Sequence, residues 1–217
     1  MRDTKKDIGI CVFFLIIIIS FFFYGYSYKE KFNETAKNNL DYNIRVVGSN
    51  ISLDRFYKNI DPASIIEDLI EISNPETNKK TIFIWPEGIL SNILQDDLIQ
   101  YDWLFNKKFD ENHLLIIGTN SQSEISGLKK YYNTISVYDN KLNLLHFYNK
   151  INLVPFGEFL PFENILRSFG LRSLTNNYQS FSKGDKRNII EINQQNFKLK
   201  ILPLICYEII YSGKLFN

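Results

Sequence analysis

The chain has 217 residues, 45% of them apolar, and 25 basic side chains against 24 acidic ones for a formal net charge of +1. That length suits one domain plus an additional segment, and the balanced charge excludes the basic footprint of a nucleic-acid binder. Two distant cysteines and two histidines define neither a disulfide framework nor a metal-ligand spacing, and no Gly-rich phosphate loop or internal repeat is present, so no metal or cofactor is expected.

The first element is apolar. Residues 8–28, "IGICVFFLIIIISFFFYGYSY", carry no charge. At a rise of about 1.5 Å per residue they are long enough to cross a hydrocarbon core of about 30 Å. Tyr24, Tyr26 and Tyr28 fall where amphipathic rings suit a membrane interface. A cleaved signal peptide would have a shorter apolar region and a small-residue cleavage site, and "FYGYSYKEKF" offers a poor one. An uncleaved anchor is therefore expected. Arg2, Lys5 and Lys6 precede the span and Lys29 and Lys31 follow it, a bias that leans slightly toward a cytoplasmic N-terminus. The expected organisation is a cytoplasmic N-terminus over 1–7, a transmembrane helix over 8–28, a connector over 29–41 and one domain over 42–217.

Beyond the span, "YNIRVVGSNI" (42–51) predicts a strand, its β-branched residues leading into Gly, Ser and Asn. "DPASIIEDLIEI" predicts a helix with Asp61 as N-cap, Pro62 at the first position, and one apolar stripe of Ile65, Ile66, Leu69 and Ile70. "TIFIW" and "HLLIIGTN" predict short buried strands. "YYNTISVYDN" and "KLNLLHFYNK" alternate around Asp139, Asn140 and Lys141 and predict a hairpin. "NIIEINQQNFKLKILPLICYE" predicts a second hairpin, turning near 193–196, whose last strand delivers Cys206. Strands with interspersed helices and hairpins indicate a layered α/β domain.

Three polar residues are placed alike, each just past an apolar or alternating run: Glu87, Lys150 and Cys206. Sites in α/β folds are built at the carboxyl ends of strands. A carboxylate, an ammonium and a thiol meeting there form a coherent set. The glutamate takes the thiol proton, and the lysine favours the thiolate and stabilises the tetrahedral oxyanion, with a backbone N–H such as that of Tyr207 beside it. Taken singly, each has a plainer reading: a solvated surface charge for Glu87 or Lys150, and an inert buried thiol for Cys206.

The local sequences "IWPEG", "YNKINLVPFGEFLPFE" and "LPLICYEIIY" resemble the three active-site motifs of the carbon–nitrogen hydrolase (nitrilase) superfamily. More narrowly, they resemble its bacterial apolipoprotein N-acyltransferase branch, over about residues 8–213. The resemblance implies a transmembrane helix followed by the first part of a nitrilase-like α-β-β-α sandwich. It implies Cys206 as the acyl-accepting nucleophile, Glu87 as general base and Lys150 as oxyanion stabiliser. It further implies supporting roles for Glu158, Tyr207 and Glu208. Near Phe56 and Tyr57 the match to an early aromatic at the site's rim is too loose to assign.

The family reaction is ping-pong. The cysteine takes a fatty acyl chain from membrane phospholipid as a thioester. The α-amino group of the diacylglyceryl cysteine of an apolipoprotein then receives it. The implied location is the bacterial inner membrane, with the catalytic domain on the periplasmic side. Phe156, Phe159, Leu160, Phe162, Ile165, Leu166, Phe169 and Leu171 are grouped closely, either as a membrane-facing arm that admits lipid or as a helix on the core. The family has several membrane spans and continues well past the nucleophile, whereas here one span precedes it and eleven residues follow Cys206. The expectation is thus an internal piece of such an enzyme, inactive without its missing half. The alternatives are a membrane-tethered amidase or nitrilase acting on a soluble substrate, or a non-catalytic remnant.

Overall fold

The computed structural model describes residues 4–35, 40–48, 61–90, 92–162, 180–194 and 196–210. The rim aromatic expected near Phe56 and Tyr57, and the arm from Ile165 to Leu171, lie outside these residues. Met1–Asp41 and Tyr42–Asn217 form two separate compact units.

In the first unit a single helix, α1, runs over Thr4–Thr35. It continues seven residues beyond the expected span, into the stretch read as a connector. Its apolar side chains point outward all round: Phe21 and Phe22 are about 70% exposed and Ile18 is 67% exposed. Asp7–Glu34 is long and apolar enough to cross a membrane. A helix apolar on every side has no face suited to water. The hydroxyl of Ser20 donates to the carbonyl of Ile16 at 2.8 Å, so it carries no unsatisfied donor.

The second unit is built on a five-stranded mixed sheet, in order β1-β2-β3-β4-β5. The strands are β1 (Asn43–Val46), β2 (Thr81–Trp85), β3 (His113–Ile125), β4 (Leu128–Tyr138) and β5 (Leu144–Asn149). β1, β2 and β3 are parallel, and β4 and β5 follow as antiparallel hairpin strands. β3 is far longer than "HLLIIGTN" suggested. It extends through polar "SQSEI" and turns at Ser126–Gly127, both at positive φ (54° and 76°), the backbone that a two-residue hairpin needs.

One face of this sheet is covered by helices. α2 (Pro62–Ser73) starts as expected, with the Asp61 side chain accepting from the Ala63 amide at 3.1 Å. Of the expected stripe, Ile66, Leu69 and Ile70 are buried, worth about 1.5–3 kcal/mol each. Ile65 packs at the margin of the same cluster. The short helix α3 (Asp102–Phe105) and the 3-10 turn Gln95–Tyr101 add Leu98, Leu104 and Phe105 against Phe83, Trp85, Leu115, Ile117 and Tyr138.

The other face is covered by a separate antiparallel hairpin, β6 (Ile190–Gln194) with β7 (Phe197–Ile201). Its Ile190, Ile192 and Phe197 meet Ile82, Leu114, Ile116, Val137 and Tyr148 of the main sheet. The hairpin's outer side carries Glu191, Asn193, Lys198 and Lys200, all exposed, with Lys200 pairing to Glu191 at 2.6 Å. Among the described residues the layers are therefore helix, sheet and hairpin, three of the four expected. The two-sided burial of "TIFIW" and "LLII" follows from this sandwich, because both faces of β2 and β3 meet apolar neighbours.

One expectation needs correcting. The last strand does not carry the chain to Cys206. β7 ends at Ile201, and Leu202–Ile205 have no strand pairing. Pro203 cannot donate to a ladder, so the strand stops short of it. Cys206 instead opens a 3-10 turn, Cys206–Ile210.

Candidate active site

β5 points the same way as β2, so both release the chain at one end of the sheet. Glu87 follows β2 by two residues and Lys150 follows β5 by one. Three strand spacings, about 14 Å, separate those strands. The chain closes that gap by crossing the sheet. After Trp85, Pro86 and Glu87 pass directly over Gly118 of β3. A Cβ at Gly118 would lie 2.7 Å from the Glu87 Cα and 2.8 Å from the Pro86 carbonyl oxygen. Only a glycine admits that crossing. Gly118→Ala is therefore expected to push Glu87 away from the site and destabilise the domain by about 1–3 kcal/mol. A thermal melt of the variant, unchanged from the parent, would contradict this.

The three side chains beyond the crossing meet in one cluster. The Lys150 ammonium lies 3.0 Å from Glu158 Oε1 and 3.4 Å from Glu87 Oε1. The Lys150 side chain is 1% exposed, Glu158 11% and Glu87 36%, so the buried ammonium faces a half-open carboxylate. Burial disfavours the Lys150 ammonium, but the hydrogen bond to Glu158 and the charges of both carboxylates outweigh it, and its proton affinity is raised overall. Lys150 stays charged at neutral pH.

Glu158 is held from its own loop. Its Oε2 accepts the Val154 amide at 2.9 Å, while its own amide donates to the Val154 carbonyl at 2.8 Å. The "LVPFGE" stretch thus closes on itself, with Phe156 at its tip at φ 63° and 71% exposed. Phe162, at the end of the described part of the loop, is 75% exposed.

Cys206 is exposed and unpaired to any disulfide. Among the described residues its thiol forms no hydrogen bond with Glu87 or Lys150; a side chain that grips the backbone on both sides joins its turn to the cluster. Glu208, two residues on and fully buried, is the joint. Its Oε2 accepts the Ile205 amide at 2.9 Å. Its Oε1 accepts the Ile151 and Asn152 amides, both at 3.0 Å, the Tyr148 hydroxyl at 2.8 Å and the Arg187 guanidinium at 2.8 Å. One carboxylate thus spans the residue before Cys206 and the residue after Lys150, holding those two amides within about 8 Å. Burial alone would raise the Glu208 pKa, but the amides of Ile205, Asn152 and Ile151 and the Tyr148 hydroxyl lower it overall.

Cys206 itself sits at φ 50°, in the left-handed region. For a residue other than glycine this costs about 1–2 kcal/mol. The Glu208 carboxylate and the Glu208 amide, which donates to the Ile205 carbonyl at 3.1 Å, hold the turn in that conformation. Tyr207 is 43% exposed beside it.

Sequence reasoning missed three residues here. Asn133 of β4 donates from Nδ2 to both carboxylates of the cluster. Tyr148 and Arg187 supply the polar ends that satisfy Glu208. Tyr148 was hidden in a strand read only for its alternation, and Arg187 in a polar stretch before β6. Among the described residues no group of His, Cys, Asp and Glu could hold a metal ion.

A carboxylate and an ammonium at one end of a layered sheet, tied to an exposed cysteine, define a set of groups suited to acyl transfer. Solved structures to which the chain is similar include a carbon–nitrogen hydrolase from Helicobacter pylori G27, with 14% identity, 72% of this chain and 49% of that one covered, and TM-score 0.44. A CN-hydrolase superfamily protein from Xanthomonas campestris matches at 15% identity over 75% and 52%, with TM-score 0.42.

The sequence relatives are narrower. The chain is 33% identical over 139 residues to the apolipoprotein N-acyltransferase of Rhizobium leguminosarum bv. trifolii, covering 63% of this chain and 25% of that protein. It is 28% identical over 218 residues to the apolipoprotein N-acyltransferase of Agrobacterium fabrum, covering 98% and 40%. It is 28% identical over 178 residues to the one from Brucella suis, covering 79% and 33%. The chain spans a quarter to two-fifths of the length of these curated relatives. No family model matches it.

Proposed function

We propose that this chain carries the acyl-transfer site of an apolipoprotein N-acyltransferase. The observation that carries the reading is the ammonium of Lys150 held between Glu87 and Glu158 and linked through Glu208 to the Cys206 turn. The similarity to curated apolipoprotein N-acyltransferases supports a lipid and lipoprotein substrate class.

In this reading Glu87, the more exposed carboxylate, accepts the Cys206 thiol proton. The thiolate attacks the ester carbonyl of a membrane phospholipid, and the Lys150 ammonium stabilises the resulting oxyanion. The intermediate collapses to a Cys206 thioester. The C–O bond breaks, and the departing lysophospholipid alkoxide takes the proton back from Glu87. The α-amino group of a diacylglyceryl cysteine then attacks the thioester and yields its proton to Glu87. Collapse breaks the C–S bond, leaves an amide and returns the thiolate, which is reprotonated by Glu87. Proton and electron pair balance in both halves.

The apolar α1 supports a membrane location, and the exposed Phe156 and Phe162 beside Glu158 support lipid entry at that loop. The periplasmic side is part of the same proposal. The discriminating experiment supplies phospholipid vesicles and a synthetic peptide bearing an N-terminal diacylglyceryl cysteine. The chain is used alone and together with the part of the Agrobacterium fabrum relative outside the aligned region. The expected product is peptide heavier by one acyl chain in amide linkage, absent with Cys206→Ala. Hydrolysis of small amides without acylated peptide would replace this reading by a tethered amidase.

A further inference from the structure

The cluster sets two carboxylates, Glu158 11% and Glu87 36% exposed, against one buried ammonium, and like charges so placed repel. Something besides Lys150 must hold them. Asn133 Nδ2 lies 2.5 Å from Glu87 Oε1 and 2.6 Å from Glu158 Oε1, the same two atoms that face the Lys150 ammonium. A primary amide nitrogen has two hydrogens, and here each has its own carboxylate. The reverse amide orientation would set a carbonyl oxygen against both carboxylates, so the donor orientation is the one the surroundings select.

The backbone fixes the donor as well. The Lys150 amide donates to the Asn133 carbonyl at 2.9 Å, so the two residues sit side by side across β4 and the end of β5. Asn133 is buried and lies in mid-strand, where its position follows the ladder and not a mobile loop.

We infer that Asn133 is a positioning residue of the acyl-transfer site, the neutral double donor that sets Glu87 and Glu158 together on the Lys150 ammonium. The inference rests on the acyl-transfer reading for its catalytic meaning, but its geometry stands on the four contacts alone. An amide suits this place because it supplies two donors without a second positive charge.

The test uses the full chain in detergent micelles. Asn133→Asp keeps the shape, removes both donors and adds a third carboxylate. It is expected to lower Tm by about 5 °C at pH 8. Adding Glu158→Gln restores two carboxylates, one amide and one ammonium, and is expected to recover most of the loss at pH 8. If Asn133→Asp does not fold, Asn133→Ala with and without Glu158→Gln gives the same comparison. An unchanged Tm in Asn133→Asp, or no recovery in the double variant, overturns the inference. The same variants, mixed with phospholipid vesicles and the part of the Agrobacterium fabrum relative outside the aligned region, are assayed for acyl mass on Cys206. The stability pattern without acyl loading in any sample, the parent included, would defeat the acyl-transfer reading and leave the bridging role standing.

Discussion

Lys150→Met is expected to destabilise the domain by about 3–5 kcal/mol and to abolish acyl loading of Cys206. The lysine is buried between Glu158 and Glu87, so its removal leaves two carboxylates facing each other with only Asn133 between them. Methionine fills the same volume, which separates loss of charge from loss of packing. Because Lys150 has a raised proton affinity, its stabilising charge is fully present below the unfolded lysine value near 10.4 and is lost as pH rises through the higher folded value. The difference in stability between parent and variant is therefore expected to hold across neutral pH and to shrink in strong alkali. Denaturant melts at pH 7 and pH 11 measure it. Equal stability at pH 7 would show that the ammonium contributes nothing to the domain.

The second large effect belongs to Glu208→Gln. Five donors converge on this carboxylate, and one of them is the buried guanidinium of Arg187. Neutralising it removes the buried Arg187–Glu208 ion pair and turns an N–H group toward donors, a loss of about 3–5 kcal/mol. The folded carboxyl is held below the usual glutamate range, so its contribution is present above about pH 4.3 and is lost as pH falls through the folded value. Parent and variant should therefore converge in acid and diverge at neutral pH. The consequence for the site is separate from stability. Without the clamp, the Cys206 turn is no longer tied to the residue after Lys150, and acyl loading should fall even in the folded fraction. A variant that melts like the parent and loads acyl normally would show that the clamp is dispensable.

Much of this site was legible because its parts lie in short local patterns. Asp61-Pro62 before an apolar stripe, "TIFIW" before Glu87, and alternation before Lys150 are each governed by neighbours in sequence. What was not legible depends on neighbours in space. The extension of β3 through "SQSEI" looks polar because that end of the hairpin is exposed, and its strand character comes from pairing with β4. Asn133 reads as any strand asparagine until the crossing over Gly118 brings Glu87 to it from 46 positions away. Glu208 looked like a helper beside the nucleophile. Its side chain is buried among Tyr148, Arg187 and the amides after Lys150, so it acts on the backbone that carries both Cys206 and Lys150. Pro203 was a visible warning that the strand would end before Cys206, and the apolar run around it concealed that warning.

The claim that joins all of this is that Cys206 takes an acyl chain with the help of Glu87 and Lys150. Intact mass and peptide mapping after incubation with phospholipid vesicles test it most directly, on the chain alone and with the complementary part of the relative. One acyl mass is expected on the peptide containing Cys206, released by neutral hydroxylamine as a thioester is. That mass should be absent from Cys206→Ala and strongly reduced in Glu87→Gln and Lys150→Met. An acyl adduct that persists in Cys206→Ala, or loading of Cys206 that is indifferent to Glu87 and Lys150, would contradict it.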